Sequence, residues 1–206
     1  MNDIIYEMVL DGEEDEVFAI SLVKSPAIER DWIAFSSEQE KFAIVNNEQK
    51  MLIGAIMVPD KKILRLNKLN EPYYVFFAKD TIKEIAHKYM QKSYQNQATL
   101  EHAVDIEGVS LVESWIIDNP LKDKSNNFGI TLPSGTWTGI FKINNDEIWD
   151  EYIKTGKVKG FSVEGSFEHI PVKMESVMDK DIDELNEEEF KEVIKNIIDI
   201  INDKQV

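Results

Sequence analysis

Gly156-Lys157-Val158-Lys159-Gly160-Phe161-Ser162-Val163-Glu164-Gly165 sets a serine between glycines within a run of strand-forming residues. The glycines permit unusual dihedrals and close backbone approach, which suits a place where a substrate strand or an oxyanion must come near main-chain N–H groups. Glu164, two residues on from Ser162, leaves the strand on the same face. The run is not a hydrolase nucleophile elbow. In Gly-x-Ser-x-Gly a strand turns into a helix, whereas here the second glycine comes one residue late and more strand follows, through residues 158–170.

Upstream, residues 146–155 read as a helix burying Ile148, Trp149, Tyr152 and Ile153, and Gly156 suits its C-terminal stop. Residues 128–132 and 136–143 read as a hairpin around Pro133-Ser134-Gly135, and residues 108–117 as a strand leading into a polar loop, 118–127. A helix opening near Asp80 carries Ile82, Ile85, Ala86, Tyr89 and Met90 on one face. Short strands over residues 4–10, 17–23, 51–58 and 73–77 fill the first third, with Ser25-Pro26 as an interruption. This is a strand-rich α+β pattern.

Beyond Val172 the composition changes. Residues 173–206 hold 11 acidic and 5 basic side chains, a local balance of 5 − 11 = −6. The division expected is a body over 1–172, then an acidic linker and amphipathic helix over 173–206. Asn186 and Glu189 form a capping-box pattern ahead of the stripe Phe190, Val193, Ile194, Ile197, Ile198 and Ile201. That stripe either packs on the body or on itself, or joins a second copy as a homo-oligomer or a partner protein.

The 206 residues carry 39 acidic against 23 basic side chains, a formal charge of −16, which repels phosphate backbones and argues against nucleic-acid binding. Cysteine is absent, which excludes disulfides, thiolate zinc sites and cysteine nucleophiles. Met1-Asn2-Asp3-Ile4-Ile5 lacks the basic start of a signal peptide, and no apolar stretch approaches the roughly 20 residues a bilayer span needs. A soluble protein with no membrane partner is expected.

Three histidines can be weighed one by one. His87 falls at the flank of a helical stripe, and His169 ends a strand beside Pro171; both suit structural places. His102, in Leu100-Glu101-His102-Ala103-Val104, stands just before a strand, where a fold can hold an imidazole rigid yet exposed. Asp179-x-Asp181-x-Asp183 begins like a calcium loop, but Glu184 replaces the glycine and Phe190 the bidentate glutamate, so no metal or cofactor is expected.

Several segments, in order, resemble the XkdF-like phage serine proteases. They are Ile20-Ser21-Leu22-Val23-Lys24-Ser25-Pro26-Ala27-Ile28, residues 54–60, Leu100-Glu101-His102, Val112-Glu113-Ser114-Trp115-Ile116, Gly135-Thr136-Trp137 and the serine segment quoted first. The resemblance covers roughly residues 17–170. It implies the prohead protease class, with an assemblin-like fold: a closed, antiparallel-rich β-barrel with surrounding helices. It also implies trimming of scaffold and major capsid proteins, and of the enzyme itself, inside procapsids assembling in the host cytoplasm. The acidic linker would then be a region for autocleavage. The family's histidine falls on His102 and its serine on Ser162.

A third residue should hold the imidazole in its reactive tautomer. Glu113 is the first choice, because it follows His102 on a strand whose neighbours Leu111, Val112 and Trp115 are apolar, where a carboxylate needs a reason. Glu164 and Asp105 are the alternatives. A non-catalytic head-assembly protein keeping the same fold is the competing functional reading. An esterase acting on small molecules is disfavoured by the missing elbow.

Overall fold

Strand-forming runs closed by turn residues give short strands, and their pairing decides the architecture. The computed structural model describes residues 4–12, 14–24, 43–67 and 69–172. The strands are β1 (Ile5–Val9), β2 (Glu16–Val23), β3 (Ala43–Asn46), β4 (Met51–Met57), β5 (Ile63–Leu66) and β6 (Pro72–Phe76), followed by β7 (Ala98–Leu100), β8 (Val104–Asp105), β9 (Val109–Ile116), β10 (Trp137–Ile143), β11 (Gly160–Ser166) and β12 (Glu168–Val172). One α-helix, α1 (Lys79–Gln91), stands between β6 and β7. The chain divides into two compact units, Met1–Pro171 and Val172–Val206. The expected acidic linker and C-terminal helix lie outside the described residues, as does Ser25-Pro26.

The expected closed, assemblin-like barrel does not form. The described strands make three separate four-stranded sheets, ordered β12-β1-β6-β5, β3-β4-β10-β9 and β11-β2-β7-β8. Closure would leave no edge strand, yet each sheet ends on two. The strands at several of these ends are short, β8 having only two residues and β3 and β5 four each. Among the described residues the fold is therefore predominantly β, with α1, two short 3-10 turns and one π-helical turn, Ile148–Ile153, in the place where a second α-helix was expected.

The sheets share a core. Phe161 of the third sheet stacks on Phe141 of the second, with ring centroids 4.2 Å apart. Tyr89 of α1 meets Trp137 of β10 edge-on at 5.3 Å, and burial pushes the Tyr89 phenol well above its usual pKa. α1 buries Ile82, Ile85, Ala86 and Tyr89, the face its spacing predicts, and starts one residue before Asp80. Asp80 therefore sits in the first turn, where its charge faces the positive end of the helix.

Residues 128–132 do not pair with β10 as a hairpin. The N–H of Ile130 donates to the carbonyl of Ser125 at 3.2 Å, and that of Gly129 to Asn126 at 3.1 Å, so the segment closes on its own loop. β10 pairs instead with β4 and β9, both antiparallel.

The third sheet contains a close approach near the candidate site that only glycine allows. A Cβ on Gly165 would stand 2.4 Å from the main-chain oxygen of Glu16. Gly165→Ala should therefore cost about 1–3 kcal/mol, as overpacking does, read as a lower urea midpoint. An unchanged midpoint would show that β2 yields there freely.

Candidate active site

β11, β2 and β7 lie side by side, β11 antiparallel to β2 and β2 parallel to β7. Ser162 is opposite Ser21, and Ser21 is aligned with Thr99. Directly paired residues share a sheet face, so these three hydroxyls form a row across the sheet. Glu164 emerges on the same face, opposite Ala19. The alternate residues, Phe161, Leu22, Val163 and Ile20, form the core-facing side, and Phe161, Leu22 and Ile20 are fully buried.

A bulge sets the position of Glu164. After Glu164↔Ala19 the next pair is Gly165↔Val17, which leaves Phe18 unpaired and 45 % exposed. Because Ala19 is small, the carboxylate has room to lean over β2 towards β7. It does so: the Thr99 hydroxyl donates to Glu164 Oε1.

His102 lies in the turn joining β7 to β8, closed by Ala103 N–H donating to the Leu100 carbonyl at 3.1 Å. Glu101 and His102 both take left-handed conformations, with φ 53° and 56°. For residues other than glycine that costs about 1–2 kcal/mol each, so neighbours must hold the turn. Three bonds tie it to the end of β2: Glu101 N–H to the Leu22 carbonyl at 3.0 Å, His102 N–H to Ser21 Oγ at 3.0 Å, and Lys24 N–H to Glu101 Oε1 at 2.6 Å.

The turn brings His102 Nδ1 to 3.2 Å from Glu164 Oε1, with the two side chains 13 % and 20 % exposed. The approach falls outside hydrogen-bonding alignment, and neither ring nitrogen has a hydrogen-bond partner among the described residues. Nε2, like Nδ1, is buried, and no hydrogen bond joins it to Ser162 Oγ. Such a placement lets a carboxylate bias the imidazole towards the tautomer protonated on Nδ1. Ser162, half-buried on β11, stands on the same face two residues from Glu164.

Glu113 is held elsewhere. It lies on β9 in the second sheet, opposite Ile140, 48 % exposed and ion-paired with Lys124. The Lys124 ammonium in turn sits 3.9 Å from the centroid of the Trp115 ring. The structure therefore brings together His102 and Glu164, not His102 and Glu113. Asp105, paired with Thr99, shares the sheet but is exposed. Of the other histidines, His87 is exposed on α1. His169 packs edge-on against Tyr6 at 5.8 Å, its pKa lowered by burial and by the charge of Arg65.

Two residues of this arrangement carried no signal of their role in the sequence: Ser21, which accepts the His102 N–H, and Thr99, which donates to Glu164. The one feature that stood out was a serine inside the apolar run Ala19-Ile20-Ser21-Leu22-Val23.

A serine and a glutamate on one sheet face, with a histidine in the adjoining turn beside the glutamate, are residue types a serine hydrolase employs. The chain belongs to the family described as "Putative phage serine protease XkdF", whose profile matches residues 39–171. The matched span takes in His102, Ser162, Glu164 and Glu113 and begins after β2 and the Ile20-to-Ile28 segment. No curated protein and no solved structure matches the chain.

Proposed function

We propose that the protein is a serine endopeptidase with Ser162 as nucleophile, His102 as general base and Glu164, rather than Glu113, as the acid that orients the imidazole. The observation that carries this is the 3.2 Å approach of Glu164 Oε1 to His102 Nδ1 on the face that also bears Ser162. Membership of a phage serine protease family supports the reaction class. The substrates are scaffold and major capsid proteins, and the enzyme's own chain, inside the assembling procapsid.

As Ser162 Oγ attacks the scissile carbonyl carbon, its proton passes to His102 Nε2 and the carbonyl π electrons move onto oxygen. The tetrahedral intermediate collapses when the C–N bond breaks and the amine takes that proton from His102. Water then attacks the acyl-serine, giving a proton to Nε2, which returns it to Ser162 Oγ as the acid product leaves. Throughout, the negative charge of Glu164 stabilises the imidazolium.

Treatment with a fluorophosphonate, followed by peptide mapping, tests the reading. A single adduct is expected at Ser162, and its formation should require His102. An adduct at another serine, or no adduct while head proteins are still cut, would remove Ser162 from the mechanism. No adduct and no cleavage, with binding to head proteins retained, would favour a non-catalytic assembly protein.

A further inference from the structure

We infer that Ser21 is a positioning residue that fixes the place of His102 relative to Ser162, through a hydrogen bond from the His102 main-chain N–H. The inference rests on the reading of His102 as general base.

Ser21 is fully buried within an otherwise apolar strand segment, Ala19 to Val23. A hydroxyl there loses its water and needs protein partners. It has two: its O–H donates to the Thr99 carbonyl at 3.4 Å, and its oxygen accepts from His102 N–H at 3.0 Å. The second bond matters most. With φ at 56°, His102 departs from extended geometry, and Ser21 supplies the acceptor its N–H uses.

The register adds the other half. Ser21 stands directly opposite Ser162, which places their Cβ atoms about 4.5–5.5 Å apart. One residue therefore touches both the strand bearing the nucleophile and the turn bearing the base. Ser21 is itself no rival nucleophile, since it is 0 % exposed and its oxygen already accepts a main-chain hydrogen bond, whereas Ser162 is half-buried. Thr99 completes the frame: its hydroxyl holds Glu164 Oε1, and its carbonyl receives the Ser21 O–H. Ser21 itself lies on β2, which precedes the residues matched by the family profile.

The test uses the full chain with Ser21→Ala, Ser21→Cys and Ser21→Thr. Two signals are read: the rate of fluorophosphonate labelling at Ser162, and the NMR signals of the His102 amide and ring nitrogens in protein carrying 15N-histidine. Ser21→Ala should slow labelling on the order of 10–100-fold, the effect of misplacing a catalytic group by about an ångström. It should also shift both His102 signals while the circular dichroism stays unchanged. Ser21→Cys keeps the shape but offers a weak acceptor, so it should behave like Ser21→Ala even if alanine impairs folding. Ser21→Thr keeps the hydroxyl and should recover most of the rate.

Wild-type labelling with unmoved His102 signals in Ser21→Ala or Ser21→Cys would overturn the inference. So would a fall to the level of Ser162→Ala in a folded Ser21→Ala protein, because Ser21 would then be the nucleophile. Should the parent protein show no labelling at Ser162, the protease reading fails on its own. The His102 signals still decide the positioning role in that case: shifted supports it, unshifted ends it.

Discussion

Ser162→Ala is expected to fold like the parent and to cleave its head-protein substrates at least about 10⁴-fold more slowly, as loss of a nucleophile does elsewhere. The substitution removes one oxygen from a half-buried strand position and leaves the pairing with Ser21 intact, so stability should change by no more than about 0.5 kcal/mol. The partner experiment needs a careful choice of residue at 102. Alanine would remove the imidazole and also strain a turn held at φ 56°. Asparagine tolerates the left-handed region, so His102→Asn removes the base and keeps the turn. It should lose as much activity as Ser162→Ala. The double variant should be no worse than either single one, because serine and histidine act as one unit. Gel and mass-spectrometric assays of scaffold cleavage, alongside circular dichroism, check all three. Continued cleavage by folded Ser162→Ala would end the assignment.

Local elements were largely legible in the sequence, because local rules govern them. α1 follows from the spacing of Ile82, Ile85, Ala86 and Tyr89, and β11 from the run around Ser162. The barrel expectation failed because closure depends on pairing between distant strands. The parallel alignment of β2 with β7 joins Ser21 to Thr99 across most of the first half of the chain, and no periodicity in either segment announces it. The hairpin at residues 128–143 failed for a related reason, since β10 found β4 as its neighbour instead of the segment next to it in sequence. The choice of Glu113 rested on its apolar neighbours. A bulge undoes that argument: Ile140 pairs with Glu113 and Phe141 with Leu111, so Val112 is unpaired and 49 % exposed, and Glu113 turns to solvent beside Lys124. Glu164 needed only the two-residue period of a strand to share the face of Ser162. The turn that carries His102 to it, with two left-handed residues and no glycine, had no signature in the sequence.

Glu164→Gln and Glu113→Gln separate the two carboxylates, and the first should be far the more damaging. The Thr99 hydroxyl donates to Glu164 Oε1. The same oxygen stands 3.2 Å from His102 Nδ1, so in the glutamine variant an amide oxygen at that position keeps both neighbours. What is lost is the negative charge that stabilises the imidazolium as His102 takes the proton of Ser162. A comparable carboxylate-to-amide change in a serine protease triad costs about 10⁴-fold in kcat, and a loss of about 10²–10⁴-fold is expected here with little change in KM. Glu113→Gln gives up an ion pair with Lys124 in which both side chains are nearly half exposed. Such pairs contribute about 0–1 kcal/mol, and Lys124 keeps its contact with the Trp115 ring, so kcat should stay at the parent value. Steady-state kinetics on one cleavage-site peptide taken from the scaffold, measured for both variants, gives the answer. If Glu113→Gln proves the slower enzyme, the carboxylate beside His102 does not orient it, and the proposed triad loses its third member.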